Sequence, residues 1–596
     1  MLENWTVGGQ GAQVSMTRLD RPWRRPGAVA YALGRLPGLL RPRVQVYEPG
    51  AGSLTVLRDL SVTVRDGTVL RVNVVLPAGP GPFPVLLCAH PYGKDALPSR
   101  RGFGTGYRVS IQYRMLRQPD RVRFSSLTGW EAPDPAWWTG KGYAVVNCDL
   151  RGAGTSAGES SLMSDQEGED VYDLIEWAGA QEWSTGAVGM IGVSYLAISQ
   201  WKAAALAPPS LKAICPWEGF TDAYRDMARP GGIRETGFVR FWGLSLKKVR
   251  QHEKITKEAR RHALRDEWWK SKVPALDRIT VPALICGSFS DNNLHTRGSF
   301  RGFERIASAD RFLYTHRGGK WLTFYSSDAR AAQLRFFDLY LRGHDVAPPP
   351  PVRLEVRESR DVIAEIREED TWPLDHTEWR PLYLTATGLE VAPPMSDGTI
   401  AFGTRAGGAC WEWMVPADVE LTGPMALRLW VEARGADDID LFAGVEKWRG
   451  GRYVPFEGSY GFGRDRVATG WLKASLRALD EPASRPFDPV PSFAVRSALA
   501  PGQIVQVDIA LGPSATVFRE GETLRLVVAG RWLWPVNPLT GQFPAAFKRG
   551  PAAECAIHWG PDRQARLLIP VIGHLSRLLE PYDEGPTNLT RTGPPQ

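Results

Sequence analysis

Five short, unbroken apolar runs, at 84–88, 143–148, 188–193, 211–215 and 281–286, restrict the architecture most tightly. A strand with one wet face alternates polar and apolar residues. Runs like these belong to strands buried on both faces, as in a parallel sheet covered by helices. Helical patterns over 166–181 and 198–206 separate several of them. Strand and helix in alternation predict a mostly parallel sheet with helices on both sides. Ahead of the runs, residues 54–76 alternate and break at Asp66-Gly67, which predicts an antiparallel hairpin.

The third run continues as Gly189-Met190-Ile191-Gly192-Val193-Ser194-Tyr195-Leu196-Ala197 and then turns helical. A lone serine between strand and helix is the pattern of a nucleophile elbow, in which a sharp turn leaves the hydroxyl standing clear. Gly192 lies two residues before Ser194. Leu196 occupies the place of the second glycine in Gly-x-Ser-x-Gly, and Ala197 is the nearest small residue.

A serine attacks only when a base takes its proton and a third group holds that base. In this sheet class the chain order is serine, acid, histidine. Asp291 closely follows the run ending at Cys286, on the rim where ligands bind open sheets. His316 follows the apolar segment 312–314 and precedes Arg317-Gly318-Gly319, and is the expected base. His295 is the rival, four residues past Asp291 and at the start of the next helical stretch. An oxyanion needs two donors aimed at it. The Tyr195 backbone N–H is one, and the Tyr92 hydroxyl, in His90-Pro91-Tyr92-Gly93-Lys94 after the first run, is the candidate for the other.

With 596 residues the chain calls for two or three domains. Between 217 and 272 the strands stop and 250–270 reads as charged helix with Trp268 and Trp269 as apolar contacts, a helical cap inserted between sheet strands. Trp217, Phe220, Phe241 and Trp242 are the candidates to line an acyl pocket there. Past the proline run 348–351, short alternating segments rich in Gly and Pro predict a separate antiparallel sandwich. The expected division is an α/β domain over 1–216, including an arm over 1–45, a cap over 217–275, a second part of the α/β domain over 276–347, and the sandwich over 352–596.

The net charge of +7 is scattered among acids, with no basic block interleaved with aromatics, which argues against a nucleic-acid partner. Six cysteines form no Cys-x-x-Cys pair, and Cys88, Cys148, Cys215 and Cys286 fall inside the apolar runs. That pattern points to buried free thiols, a reducing cytoplasmic setting and no structural metal. No run reaches membrane-spanning length. Arg24-Arg25 precedes a fairly apolar stretch, but Arg35 and Pro37 interrupt it, so the arm is expected to pack on the first domain instead of serving as an export signal. The glycines at 152, 154 and 158 follow a strand with the wrong spacing for a dinucleotide loop, and no cofactor is expected.

Taken together, Gly-Val-Ser-Tyr-Leu-Ala at 192–197, Pro91-Tyr92-Gly93-Lys94, Asp149-Leu150-Arg151-Gly152-Ala153-Gly154-Thr155-Ser156-Ala157-Gly158, Asp291 and His316 resemble the cocaine esterase and X-prolyl dipeptidyl-peptidase superfamily of serine hydrolases. The resemblance extends to 218–226 at the cap entry and, at 470–475 and 499–502, to a C-terminal jelly roll. It implies an α/β hydrolase fold with Ser194 as nucleophile, His316 as base, Asp291 as its orienter and Tyr92 as a phenolic oxyanion donor. Ala197 departs from the glycine frequent in the family's longer elbow, and the arm before Val44 and the insertion 99–130 match nothing assignable. The expected reaction is cleavage of a small-molecule carboxylic ester through an acyl-enzyme, with X-Pro dipeptidyl-peptidase or other amide and acyl-transfer chemistry as the alternative. Glu131, Asp134, Glu218 and Asp222 are the acids available to hold a substrate amine. A reading of another class is an inactive protein whose jelly roll binds carbohydrate or another ligand. No membrane partner is expected, and self-association is left open.

Overall fold

The computed structural model describes residues 16–19, 33, 43–102, 106–110, 113, 121–458, 465–535 and 544–573. The α/β part contains, in chain order, β1 (Leu54–Thr63), β2 (Val69–Pro77), β3 (Phe83–His90), α1 (Pro135–Thr139), β4 (Ala144–Asp149), α2 (Asp165–Gly179), β5 (Ser184–Val193), α3 (Tyr195–Ala205) and β6 (Leu211–Trp217). After the cap come β7 (Ala283–Ser288), α4 (Thr296–Arg305), β8 (Arg311–His316), α5 (Lys320–Phe324), α6 (Ser327–Arg342), β9 (Val352–Ser359) and β10 (Val362–Glu369).

The sheet order is β1-β2-β4-β3-β5-β6-β7-β8-β9-β10, parallel from β4 through β9 and antiparallel at both ends. All five apolar runs fall in its central strands, which are buried almost throughout because helices cover both faces. One face buries Leu174, Ile175 and Trp201 from α2 and α3. The other buries Trp138, Phe336 and Phe337 from α1 and α6. All six cysteines are buried free thiols.

The strand after the proline run belongs to both parts. β9 pairs in parallel with β8, Leu313 against Val352 and Tyr314 against Arg353, and meets the C-terminal strand Ile504–Phe518 at Arg357 and Thr516. The hydrolase sheet therefore runs past the proline run and joins the sandwich through β9. The cap is more broken than expected. It holds a π-helical turn at Ala223–Ala228, short helices at Phe238–Ser245, Ile255–Arg261 and Glu267–Lys270, and no single helix over 250–270. Trp269 is fully buried, with its indole N–H on the His262 carbonyl at 3.0 Å.

The C-terminal part is a two-layer β sandwich. One layer runs through Gly408–Met414, Thr523–Ala529, Asp440–Arg449 and Ala468–Lys473, all antiparallel. The second centres on the 16-residue strand Val419–Arg434, whose two halves pair with Arg566–Ile572 and Glu554–Trp559 and whose other edge pairs with Ile504–Phe518. Of the N-terminal arm, Met16–Leu19 adds a strand to Gly408–Met414. Of the described part of the arm, Met16–Leu19 thus packs on the jelly roll, while the strand Val44–Tyr47 at its end pairs with Val122–Ser125 of the first domain; Arg24-Arg25 lies outside the described residues. Among the described residues, no helix is long and apolar enough to cross a membrane.

The two parts interlock. Arg317, fully buried, donates to the Val467 carbonyl at 2.9 Å and Ser514 Oγ at 3.0 Å, both in the jelly roll. A Cβ on Gly512 of the jelly roll would stand 2.4 Å from Asn292 Oδ1, so the missing side chain leaves the room that the Asn292 amide occupies.

Candidate active site

Ser194 sits between β5 and α3 with φ 59° and ψ −114°, a conformation that costs a non-glycine residue about 1–3 kcal/mol. The turn is held from both sides: Ser194 N–H donates to Trp217 O at 3.0 Å, and Val193 N–H to Glu131 O at 3.1 Å. Gly192 is required for steric reasons, since a Cβ there would lie 2.3 Å from Leu196 Cβ. The departure at Ala197 is absorbed by Gly219, where an added Cβ would come within 2.7 Å of the Ala197 methyl. Glu131 and Glu218, which flank the elbow, also have positive φ, 63° and 51°.

Ser194 Oγ lies 3.1 Å from His295 Nε2, and His295 Nδ1 lies 2.5 Å from Asp291 Oδ2. The serine is partly accessible, while both partners are buried. Asp291 leaves the end of β7, its carbonyl accepts the N–H groups of Leu294, His295 and Thr296, and His295 caps α4. Acid and imidazole are therefore neighbours on one tight turn, the imidazole lying over the Phe220 ring with centroids 5.9 Å apart.

His316, the base expected from sequence, is engaged elsewhere. Its Nε2 bonds Glu218 Oε1 at 3.0 Å, its Nδ1 accepts the Gly318 N–H at 3.2 Å, and its ring stacks against Trp217. The reason is register: Ser288 aligns with His316, so the histidine is still part of β8 and faces the end of β6 instead of swinging on a loop. Its Nδ1 is an acceptor, so Nε2 carries the proton and the ring is neutral. Thus the structure brings together Ser194, Asp291 and the rival His295, and leaves His316 outside that set.

A lysine joins the group unannounced by the sequence reading. Lys320, 4% exposed, places Nζ 2.6 Å from Asp291 Oδ2, 3.0 Å from His295 Nδ1 and 3.8 Å from Glu218 Oε2. Burial alone would raise the Asp291 carboxyl, but Lys320 and His295 outweigh it and hold the carboxyl well below its ordinary range. Burial, with Lys320 second, lowers the basicity of His295. Glu131 is pushed the other way, up to about 8, chiefly by burial. Glu218, Cys286 and His316 each bring one ligand-type atom within 4.8 Å of the others. Nε2–H of His316 donates to Glu218, and the Lys320 ammonium stands beside that carboxylate, so these residues fit an internal hydrogen-bonded pair and not a metal.

Tyr92 follows β3, its N–H bonded to His90 Nδ1 at 3.2 Å. Burial, with the nearby Glu131 second, holds its phenol pKa well above the ordinary value, so the hydroxyl stays a donor. The phenol oxygen accepts Trp242 Nε1 at 3.3 Å, and the Trp242 ring stacks on Tyr195. Tyr195 opens α3, whose first-turn N–H groups point back toward the serine. Of the four expected pocket aromatics, Phe220 and Trp242 border the site and Phe241 is half-buried beside Trp242 on the cap helix. Trp217 is fully buried on the far side of the sheet against Tyr314 and Phe324, so it is core and not pocket lining. Open space lies on the other side of Tyr92, a cavity of about 370 Å³ walled by Leu97, Val109, Phe124 and Trp130, with Arg108 at its edge.

The sequence matches the model of the X-Pro dipeptidyl-peptidase S15 family over residues 66–249 and that of the X-Pro dipeptidyl-peptidase C-terminal non-catalytic domain over 344–567. The crystal structure of a CocE/NonD family hydrolase from Staphylococcus aureus superposes with a TM-score of 0.82 at 34% identity, covering 89% of this chain and 99% of that one. The chain belongs to the CocE/NonD family. It is a serine hydrolase with the α/β hydrolase and jelly-roll domains of that family. The cocaine esterase of a Rhodococcus species is 28% identical over 56% of this chain and 63% of its own length, and a putative serine esterase of Mycobacterium bovis is 25% identical over 79% and 89%. The aligned region thus spans less than two thirds of the cocaine esterase.

Proposed function

We propose that this CocE/NonD hydrolase cleaves carboxylic esters through a covalent acyl-enzyme, with Ser194 as nucleophile, His295 as general base and acid, and Asp291 as the group that orients it. The carrying observation is the bonded chain Ser194 Oγ–His295 Nε2, His295 Nδ1–Asp291 Oδ2 at a strained strand-to-helix turn. As Oγ attacks the carbonyl carbon, its proton passes to Nε2; the Tyr195 N–H and the Tyr92 hydroxyl receive the oxyanion. His295 then protonates the leaving alcohol, and water repeats the sequence to release the acid.

Esters are favoured over X-Pro peptides by the chemistry of the available space. A free amino terminus needs a carboxylate, whereas the described residues lining the cavity beside Tyr92 are mostly apolar, and among them the one charged side chain is Arg108. Asp134 is held by Tyr47 and Arg330, Asp222 caps the π turn and pairs with Arg265, and Glu218 pairs with His316. Fluorophosphonate labelling should modify Ser194 and be lost in Ser194→Ala; no labelling of the wild type would favour the inactive ligand-binding reading. Comparing kcat/KM for a p-nitrophenyl acyl ester with that for a glycyl-prolyl anilide tests the substrate class, and a clear preference for the anilide would overturn the ester assignment.

A further inference from the structure

The lysine at the acid–base pair has a chemical consequence, which rests on the hydrolase reading above. We propose that Lys320 is a positioning residue of the Ser194–His295–Asp291 unit: its ammonium fixes the Asp291 carboxylate and keeps His295 uncharged until the serine proton arrives.

The geometry leaves few alternatives for this lysine. Nζ and His295 Nδ1 share one oxygen, Asp291 Oδ2, at 2.6 and 2.5 Å. The Nδ1 proton goes to that carboxylate, leaving Nε2 bare to accept from Ser194. The 3.0 Å separation of Nζ and Nδ1 then follows from two donors converging on one acceptor, with positive charge beside the ring. Lys320 itself stays an ammonium: burial would lower it, but Asp291, Glu218 and Glu131 together raise it.

The groups acting on His295 can be taken element by element. Its own turn supplies Asp291, the start of α5 supplies Lys320, the end of β6 supplies Glu218, and the Phe220 ring is apolar. His316 is neutral, Glu131 is uncharged below about 8, and burial keeps the Cys286 thiol protonated. The start of α4 adds the positive end of a helix dipole at His295. Without Lys320, Asp291 and Glu218 would leave the pocket with two uncompensated negative charges, which favour a protonated imidazole before substrate arrives and oppose the effect of burial. With Lys320 the groups around the imidazole carry one net negative charge, which the imidazolium offsets when the proton moves from Oγ to Nε2, while the matching negative charge goes to the carbonyl oxygen in the oxyanion hole. Lys320 neither gives nor takes a proton in that step.

The test compares Lys320→Met, which keeps length and removes charge, with Lys320→Arg, which keeps charge. For each, the pH dependence of kcat/KM on a p-nitrophenyl ester and of the fluorophosphonate labelling rate is measured. In the Met variant the acid limb should move up by about 1–3 pH units, the size of shift that one neighbouring charge produces at this range. Activity near pH 6 then falls about tenfold or more and recovers toward alkaline pH, while the Arg variant keeps the limb in place. A loss that is equal at every pH, or an Arg limb displaced as far as the Met limb, overturns the proposal. Should neither variant fold, His295 in the wild-type protein is titrated by NMR, with assignment through His295→Ala. Its pKa should lie below the ordinary value of about 6.5, and protonation at or above that value overturns the proposal. Absence of any Ser194-dependent labelling in the wild type would defeat the hydrolase reading, while the NMR titration still decides the role of Lys320.

Discussion

Exchanging the two histidines for alanine one at a time separates a base from a buried strut. His295 is the only partner bonded to Ser194 Oγ among the described residues, at 3.1 Å. Members of such a unit fail together, so His295→Ala should lower kcat by about 10⁴–10⁶-fold. Its stability should change less, because the bulk of the ring lies over Phe220 and the Lys320–Asp291 pair at 2.6 Å survives. His316→Ala should behave in the opposite way. It removes a neutral donor from the Glu218 carboxylate, both side chains being buried at 1% and 0% exposure. A buried hydrogen bond to a charged group contributes about 1.5–3 kcal/mol, and the vacated ring space adds to the loss. The Lys320 ammonium, 3.8 Å from Glu218, softens it. The variant should therefore melt several degrees lower yet retain kcat within about tenfold when assayed well below its own midpoint. Steady-state kinetics with a p-nitrophenyl ester, beside thermal melts and circular dichroism, provide both readouts. A folded His316→Ala that is inert beside an active His295→Ala would refute the reasoning and return the base to the histidine expected from sequence.

Other perturbations probe the surrounding shell. Tyr92→Phe removes one oxyanion donor, expected to cost about 2.7–4 kcal/mol in the barrier and so to lower kcat by about 10²–10³ with KM little changed; unchanged kcat would make the ring mere packing. Glu131→Gln addresses pH. The folded carboxyl sits at about 8 against an ordinary 4.5, so its stabilising contribution is full at acid pH and is lost as pH rises through about 8. The Gln variant should gain stability relative to wild type at pH 9 and none at pH 4, and a gain at pH 4 would contradict the sign. Gly192→Ala should destabilise the elbow, because the new methyl would stand 2.3 Å from Leu196 Cβ, and a wild-type melting curve with full labelling of Ser194 would contradict the steric argument.

The central strands were legible because burial on both faces leaves a local signature, an unbroken apolar run. The elbow was legible for a similar reason, as its glycine, serine and helical sequel are contiguous. The choice between His295 and His316 was not, since both follow Asp291 in the order this fold requires. What separates them is the pairing of Ser288 with His316, a contact between strands that no local pattern records. The turn that brings Asp291 and His295 together was visible as a four-residue spacing, but an acid and a histidine so spaced at a helix start also describe many surface pairs. Lys320 was missed because an isolated lysine ordinarily reads as solvated. Its unusual setting, four residues past a buried strand end and next to Trp321, was the available signal. The pairing of β9 with β8 was equally hidden: it is a long-range event, and the prolines before it looked like a plain linker.

The Arg317 clamp bears on how such a protein can be divided. Its guanidinium leaves the hydrolase strand one residue past His316 and three before Lys320, and ends on the Val467 carbonyl and Ser514 of the jelly roll. Asn292, next to Asp291, meets the same domain at Gly512. Both loops that bring charge to Ser194 are thus moulded against the C-terminal domain, and β9 continues the sheet beyond the point where a cut at the prolines would fall. A shortened chain ending there would expose the edge of β8 and release the lysine-bearing loop. Among its described residues the jelly roll contributes no bonded partner of Ser194, yet it is part of the mould in which the active centre sets, and a portable catalytic module cannot be excised from this chain by removing it.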